Sequence, residues 1–363
     1  MKKFINDVDG IVREQLEGVA ALAPWLHVSF SPKYVCRKNI PKGKVAVITG
    51  AGSGHEPLDL GLVGCGFLDG ACVGEIFTSP TPDQMIACAN AVDQGHGVLF
   101  IVKNYTGDVL NAQTAMEVCA ADNMTVQCLI IDDDVAVPGG KGTAGRRGTG
   151  LSFFVEKIVG AAAEAGYSLE ECVAVGRKAV NRGRSMGLAL TSCTVPSFGR
   201  PANPLEQDEV ELGIGLHCEP GIRKVPMGNA DYLVGLLLEY IFADPLYVRT
   251  LPEWDAISGT WKDTTEYSEP IEKGDELMVF INGMGASPPG ELYGVARSAI
   301  VQCKDRGMSV VRSMVGTFLS SLDMQGCSIS LLRADEELLR LWDAEASTLA
   351  FAKSHCDMKD CGK

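Results

Sequence analysis

The sequence predicts an α/β protein of two α/β domains, each organised around a central, largely parallel or mixed sheet. Three observations carry this. The chain of 363 residues is too long for one ordinary hydrophobic core and suits two. The short runs "KVAVIT" (44–49), "GVLFIVK" (97–103) and "TVQCLII" (125–131) are rich in Val, Ile and Leu at successive positions, as strands buried on both faces are. Helix-length segments separate them, and alternation of strand with helix implies parallel pairing.

Taken in order, "TPDQMIACANAVDQ" (81–94) and "NAQTAMEVCAADN" (111–123) repeat apolar residues three and four apart behind Thr81 and Asn111, which serve as caps. Two further helices, 153–166 and 168–183, close a first domain over 1–184. A second domain, 185–340, opens with "SMGLALTSC" (185–193). A Pro-rich connection (195–204) follows, then "VELGIGLHCEPG" (210–221), read as an apolar strand ending at His217. Next come a helix at 232–242, strands at 276–283, 309–316 and 327–333, and a helix at 290–307. The stretch 244–274 is polar with little periodicity and reads as a long connection. Residues 341–363 form a tail, in which His355, Cys356 and Cys361 fall short of a zinc set.

Composition excludes several classes. Charged residues are 21% and the AVILMFWYC set 46%, a folded rather than disordered balance. A formal net charge of −14 opposes binding to nucleic acid or anionic lipid, leaving small molecules and proteins as partners. No run approaches the ~18 apolar residues of a membrane span. Asn6, Asp7 and Asp9 interrupt the N-terminus as a signal peptide, so a cytoplasmic location is expected. The 13 cysteines are irregularly spaced and lie mostly in apolar segments, which favours reduced, buried thiols over a disulfide framework.

In an open parallel sheet, ligands collect beyond the carboxyl ends of the strands. "GAGSGHEP" (50–57), "NYTGD" (104–108) and "DDD" (132–134) are three such ends, so His55, Lys103, Asp108 and an acidic residue of 132–134 are expected around one cleft. The glycine loop fails the dinucleotide fingerprint, because His55 stands where the third glycine belongs, and it fails the nucleophile elbow at Ala51. A nicotinamide oxidoreductase therefore rests on α/β rhythm alone. "PGGKGT" (138–143) resembles a phosphate loop, but Gly142 follows Lys141 where Ser or Thr is needed. What remains is a tight turn that brings backbone N–H groups and His55 to a small polar ligand.

"GAGSGHEP", "KNYTGD", "DDDVAV", "TAGRRG", "LHCEPG" and "SLDMQGCSISLL" occur in the same order as in the substrate-binding K subunit of dihydroxyacetone kinases, and the chain resembles that family over nearly its whole length. The resemblance implies two α/β domains in a homodimer and a ketone held covalently, as a hemiaminal, on His217. It implies substrate contacts from Gly52, Ser53, Gly54, His55, Lys103 and Asp108. His55 and Asp108 are then the proton-handling catalytic residues, and Asp108 also suits an N-cap of the following helix. No metal or cofactor is expected on this chain; ADP or ATP with Mg belongs to a separate L-type subunit. Dihydroxyacetone is the first-choice ketose and erythrulose its neighbour. The competing reading is a ketose-binding paralogue that co-activates a transcription regulator without turnover. One departure is Cys218, which stands where the family commonly has glycine.

Overall fold

The computed structural model describes residues 2–138 and 144–354, and within them the chain builds two six-stranded sheets. The phosphate-loop look-alike around Lys141 and the tail residues His355, Cys356 and Cys361 lie outside the described residues. In the first sheet the strands run in the order Leu26–Phe30, Lys33–Arg37, Gly70–Ile76, Ala46–Ser53, Val98–Lys103 and Val126–Ile131. The last four are mutually parallel, and the first two form an antiparallel edge. All six residues of Val98–Lys103 are buried, because helices cover both faces; hence the unbroken apolar run.

The second sheet is ordered Arg223–Pro226, Glu209–Leu212, Gly183–Ala189, Gly326–Arg333, Glu276–Gly283 and Ser309–Gly316. Only its last pair is parallel, so the sheets are mixed and the second is mainly antiparallel. Between the sheets runs the helix Leu151–Glu164. Its residues 151–163 are all buried, and all but Ser152, Glu156 and Lys157 are apolar or glycine, as a helix packed on every side requires. One hydrophobic core gathers Val47 and Ile101 of the first sheet, Phe153 and Ile158 of this helix, and Phe280 and Leu332 of the second sheet. Gly160 is required there, since a Cβ would lie 2.1 Å from the carbonyl oxygen of Phe67.

Several local expectations need correction. The helix expected from Asn111 starts earlier, at Thr106, with Tyr105 at its N-cap, so Asp108 sits inside the first turn rather than capping it. The "polar connection" 244–274 contains a hairpin, Tyr247–Asp255 paired with Thr260–Ser268. Its inward side mixes buried aromatic rings with paired charges: Trp254 packs on Trp261 at 5.3 Å, Arg249 pairs with Asp132, and Arg146 stacks 3.8 Å over the Tyr247 ring. An alternation of apolar residues therefore never appears in the sequence. The expected tail also includes structure. The helix Glu336–Asp343, capped by Asp335, buries Leu338, Leu341 and Trp342. By contrast, Thr81 caps its helix as expected, in a capping box with Gln84, and Ser168 with Glu171 forms another.

Candidate active site

The glycine turn is a docking device. A Cβ on Gly52 would lie 2.5 Å from the amide nitrogen of Thr78, so only glycine lets this strand end pack on the loop after Gly70–Ile76. Gly54 has φ +105, which L side chains rarely adopt. Its carbonyl accepts from the Leu322 amide at 2.9 Å and the Ser320 hydroxyl at 3.1 Å, while the His55 carbonyl accepts from the Ser320 amide at 3.1 Å. The end of a first-sheet strand is thereby fastened to the loop between Ser309–Gly316 and Gly326–Arg333. The Ser53 hydroxyl is spent on the Gly74 carbonyl at 2.7 Å.

This fastening sets the chemistry of His55. Its Nδ1 lies 2.8 Å from the Ser320 carbonyl oxygen, which can only accept, so Nδ1 carries the proton and Nε2 keeps its lone pair. The ring is 3% exposed and stacks on Phe77 at 5.1 Å. Burial, then the His217 and Lys103 charges, lowers its pKa to about 3 against the pull of the Ser320 carbonyl. His55 is neutral at physiological pH.

His217 approaches from the second half of the chain. It lies five residues beyond the strand Glu209–Leu212, in a turn closed by the Gly215 amide on the Glu219 carbonyl (3.0 Å) and the Cys218 amide on the Gly215 carbonyl (3.1 Å). Its side chain is 24% exposed, and its ring meets His55 at 4.9 Å, Tyr105 at 4.8 Å and Phe77 at 5.1 Å, each edge-on. The Ser321 hydroxyl donates to the Leu216 carbonyl, tying this turn to the same loop that holds His55. The two imidazoles, 162 residues apart in sequence, meet because both turns grip residues 320–322.

Asp108 is 4% exposed, and its Oδ1 has no hydrogen-bond partner. Burial, opposed by the Ser79 hydroxyl and by the Lys103 and His217 charges, raises its pKa to about 6. Lys103 is also buried. Its ammonium pairs with Asp59, donates to the Thr49 hydroxyl at 3.1 Å and lies 3.4 Å from Glu156. Burial disfavours that charge, yet the Asp59 and Glu156 carboxylates hold its pKa above the ordinary value. Burial pushes Glu156 up to about 8, against the pull of Lys103.

The three carboxylates of 132–134 divide their work. Asp132 pairs with Arg249, and Asp133 accepts from the Thr149 and Leu151 amides at the start of the central helix. Asp134 binds Arg147. None of the three reaches the imidazoles directly. Among the described residues, no three His, Cys, Asp or Glu side chains are grouped to hold a metal ion, and no helix is long and apolar enough to cross a membrane.

Four participants went unassigned from sequence: Glu219, Tyr105, Phe77 and Ser320. Glu219 and Tyr105 sit inside the quoted motifs, and a carboxylate two residues after a histidine in a tight turn was a usable signal. Ser320 acts through its backbone carbonyl, 265 positions from His55, and leaves no trace in residue type. Cys218 also differs from the expectation of reduced thiols, for it is bonded to Cys193 with the Cα atoms 6.6 Å apart. The Pro-rich connection folds back on the His217 turn, where the Asn203 side chain also donates to the Cys218 carbonyl at 2.8 Å.

The Dak1 domain model matches residues 17–350. The chain is 46% identical over 351 residues to the dihydroxyacetone-binding subunit DhaK of the PEP-dependent dihydroxyacetone kinase of Escherichia coli (strain K12), covering 96% of this chain and 99% of that one. It is 40% identical over 338 residues to the corresponding subunit of PTS-dependent dihydroxyacetone kinase 1 of Listeria innocua, covering 93% and 95%. Among solved structures, the dihydroxyacetone kinase of C. freundii superposes with a TM-score of 0.82 at 28% identity, over 97% of this chain and 60% of that longer one.

Proposed function

This chain belongs to the Dak1 family, and from that premise we propose that it is the dihydroxyacetone-binding subunit of a two-component kinase, a phosphotransferase with an alcohol group as acceptor. The observation that carries the reading is the meeting of His217 with His55 at the junction of the two sheets. The junction divides the labour between the proposed domains. Residues 1–184 supply His55, Lys103 and Asp108, and residues 185–340 supply His217.

Dihydroxyacetone has six heavy atoms, and at a ceiling of about 1.5 kcal/mol per atom shape alone discriminates poorly against glycerol. A reversible bond to the carbonyl does discriminate. A nitrogen lone pair of His217 adds to the carbonyl carbon, the π pair moves to oxygen, and that oxygen takes up a proton. Glycerol has no such electrophile. Once anchored, the ketone presents a terminal hydroxyl to Asp108, whose pKa of about 6 lies close enough to neutrality for a base that is mostly ionised yet still accepts a proton. His55 is too weakly basic for that step; its unprotonated Nε2 can only accept, and it receives a hydrogen bond from the hydroxyl that the carbonyl oxygen becomes once it is protonated. Gly52, Ser53 and Gly54 line the substrate by their backbone, and Lys103 supplies the buried positive charge that steadies Asp108.

The phosphoryl group comes from an L-type partner that carries the nucleotide with Mg. The E. coli and Listeria relatives are named PEP- and PTS-dependent, which favours a nucleotide recharged in place by a phosphotransferase protein over exchangeable ATP. A homodimer working in the cytoplasm, with erythrulose as a second ketose, completes the proposal. The test is reconstitution of the chain with an L subunit and each donor. Phosphorylation of dihydroxyacetone but not glycerol, lost in His217→Ala, is expected. Ketone binding without transfer under every donor would overturn the kinase reading in favour of a co-activator.

A further inference from the structure

We infer that the Cys193–Cys218 pair is a thiol–disulfide modification site: bonded, it locks the turn that carries His217, and a dithiol reductant releases that turn and slows capture of the ketone. The inference rests on His217 being the ketone-binding residue and adds a redox control over it.

Two features of the backbone set up the control. Cys218 has φ +60, in the left-handed region that is costly for a residue with a Cβ and free for glycine. Its partner stands 25 positions away, in the connection that folds back on the turn, with the Cα atoms 6.6 Å apart and within the span of a disulfide. The bond is thus a tether on a strained residue. The other ties on the turn are hydrogen bonds alone. The Cys218 amide donates to the Gly215 carbonyl at 3.1 Å, the His217 amide to Glu219 Oε2 at 2.9 Å, and the Asn203 side chain to the Cys218 carbonyl at 2.8 Å. Once the tether is cut, Cys218 relaxes out of the left-handed conformation. His217, its neighbour in the chain, then shifts against His55, which stays fastened to Ser320.

Both redox states are accommodated. Sγ of Cys218 lies 3.9 Å from the Ser321 hydroxyl, which accepts from the thiol after reduction. The other nine cysteines among the described residues are free, so a reductant acts there at this one bond. Cys193 and Cys218 are 0% and 4% exposed, but the connection beyond Cys193 has no helix and residues 197–202 are all exposed. Local opening of that connection admits the reductant. In the cytoplasm, where this chain is proposed to work, a disulfide is more often redox-sensing than a permanent staple. A thiolate of the dithiol attacks one sulfur and the S–S bond breaks. The two cysteines gain two electrons and two protons, and the dithiol leaves as its own disulfide. Exchange with a disulfide of that class runs the steps backwards.

The test compares native protein with and without dithiothreitol. Maleimide labelling after a denaturing quench counts the thiols, and mass spectrometry against time gives the rate of dihydroxyacetone adduct formation. Reduction should add two labelled thiols and slow adduct formation about tenfold, the weight of one left-handed residue bearing a Cβ. Cys218→Gly should keep the oxidised rate with or without dithiothreitol, since glycine needs no tether. Cys193→Ala should run at the reduced rate in both conditions. A wild-type rate that dithiothreitol leaves unchanged, no gain in labelled thiols, or a Cys218→Gly variant as slow as Cys193→Ala overturns the inference. The His217 imidazole NMR signals read the turn without any ketone; they should move on reduction of wild type and stay put in Cys218→Gly. Absence of adduct in both redox states sinks instead the proposed function, and imidazole signals unmoved by reduction still refute the redox control.

Discussion

Replacing Asp108 with Asn should stabilise the protein at neutral pH while disabling it. The carboxyl is 4% exposed, one oxygen has no partner, and burial carries its pKa from 3.8 to about 6. A carboxyl whose folded pKa lies above its unfolded value favours folding in its protonated form. That contribution is complete below the unfolded value and is lost as pH rises through about 6. A shift of about two units, at about 1.4 kcal/mol each, makes the ionised group a burden of roughly 3 kcal/mol at pH 7. Asn keeps the shape without the ionisation. Urea unfolding of both proteins should show the variant more stable by roughly 2–3 kcal/mol at pH 7, with the difference shrinking toward zero near pH 4. The same variant should lose about 10²–10⁴-fold in phosphoryl transfer. Wild-type transfer should also rise about tenfold from pH 5 to pH 7 as a base with a pKa of about 6 ionises, and the variant should show no such rise. An Asn variant less stable at pH 7, or equally stabilised at pH 4, would refute the reasoning.

Lys103→Met strands the Asp59 carboxylate without its buried cation and should cost about 3–5 kcal/mol in urea unfolding; Lys103→Met combined with Asp59→Asn should recover more than half. A single mutant within 1 kcal/mol of wild type, as a rough threshold, would show that the pair is not desolvated as described. Cys193→Ser opens a loop with a sequence separation of 25 and should lower stability by about 3 kcal/mol on the chain-entropy account. Reductant should destabilise wild type by the same amount and leave the variant unchanged; if reductant has no effect on wild type, the sulfurs are not bonded. Gly215→Ala should slow adduct formation, because its Cβ would lie 1.9 Å from Glu219 Oε2 and 2.3 Å from Arg147 Nη1 and push both side chains from the His217 turn; unaltered kinetics would show that they move aside without consequence.

What could be read in advance follows from which interactions leave a pattern in one dimension. "KVAVIT", "GVLFIVK" and "TVQCLII" were legible because strands covered on both faces become continuous apolar runs. The helix Leu169–Asn181 was legible as a helix-length amphipathic segment, and the local pair Ser168 and Glu171 caps it. The hairpin 247–268 was not, because its buried aromatics Tyr247 and Trp254 are interleaved with Arg249, which is satisfied only by Asp132 in three dimensions, so no apolar alternation marks the strands. The same limit applied at the site. His55, Lys103 and Asp108 could be grouped because consecutive parallel strands end side by side. His217 entered through resemblance alone, since nothing local reveals that residues 320–322 draw two distant turns together. The disulfide was hidden for the same reason: irregular cysteine spacing cannot tell which two sulfurs a folded connection brings into contact.

The central claim, that His217 binds a small ketone by a covalent bond, is tested most directly by native mass spectrometry of the intact protein with dihydroxyacetone. Addition predicts a gain equal to one whole ketone, with no water lost, confined to wild type and absent from His217→Ala. A gain reduced by one water, which marks a lysine imine, or an equal gain in both proteins, would contradict it.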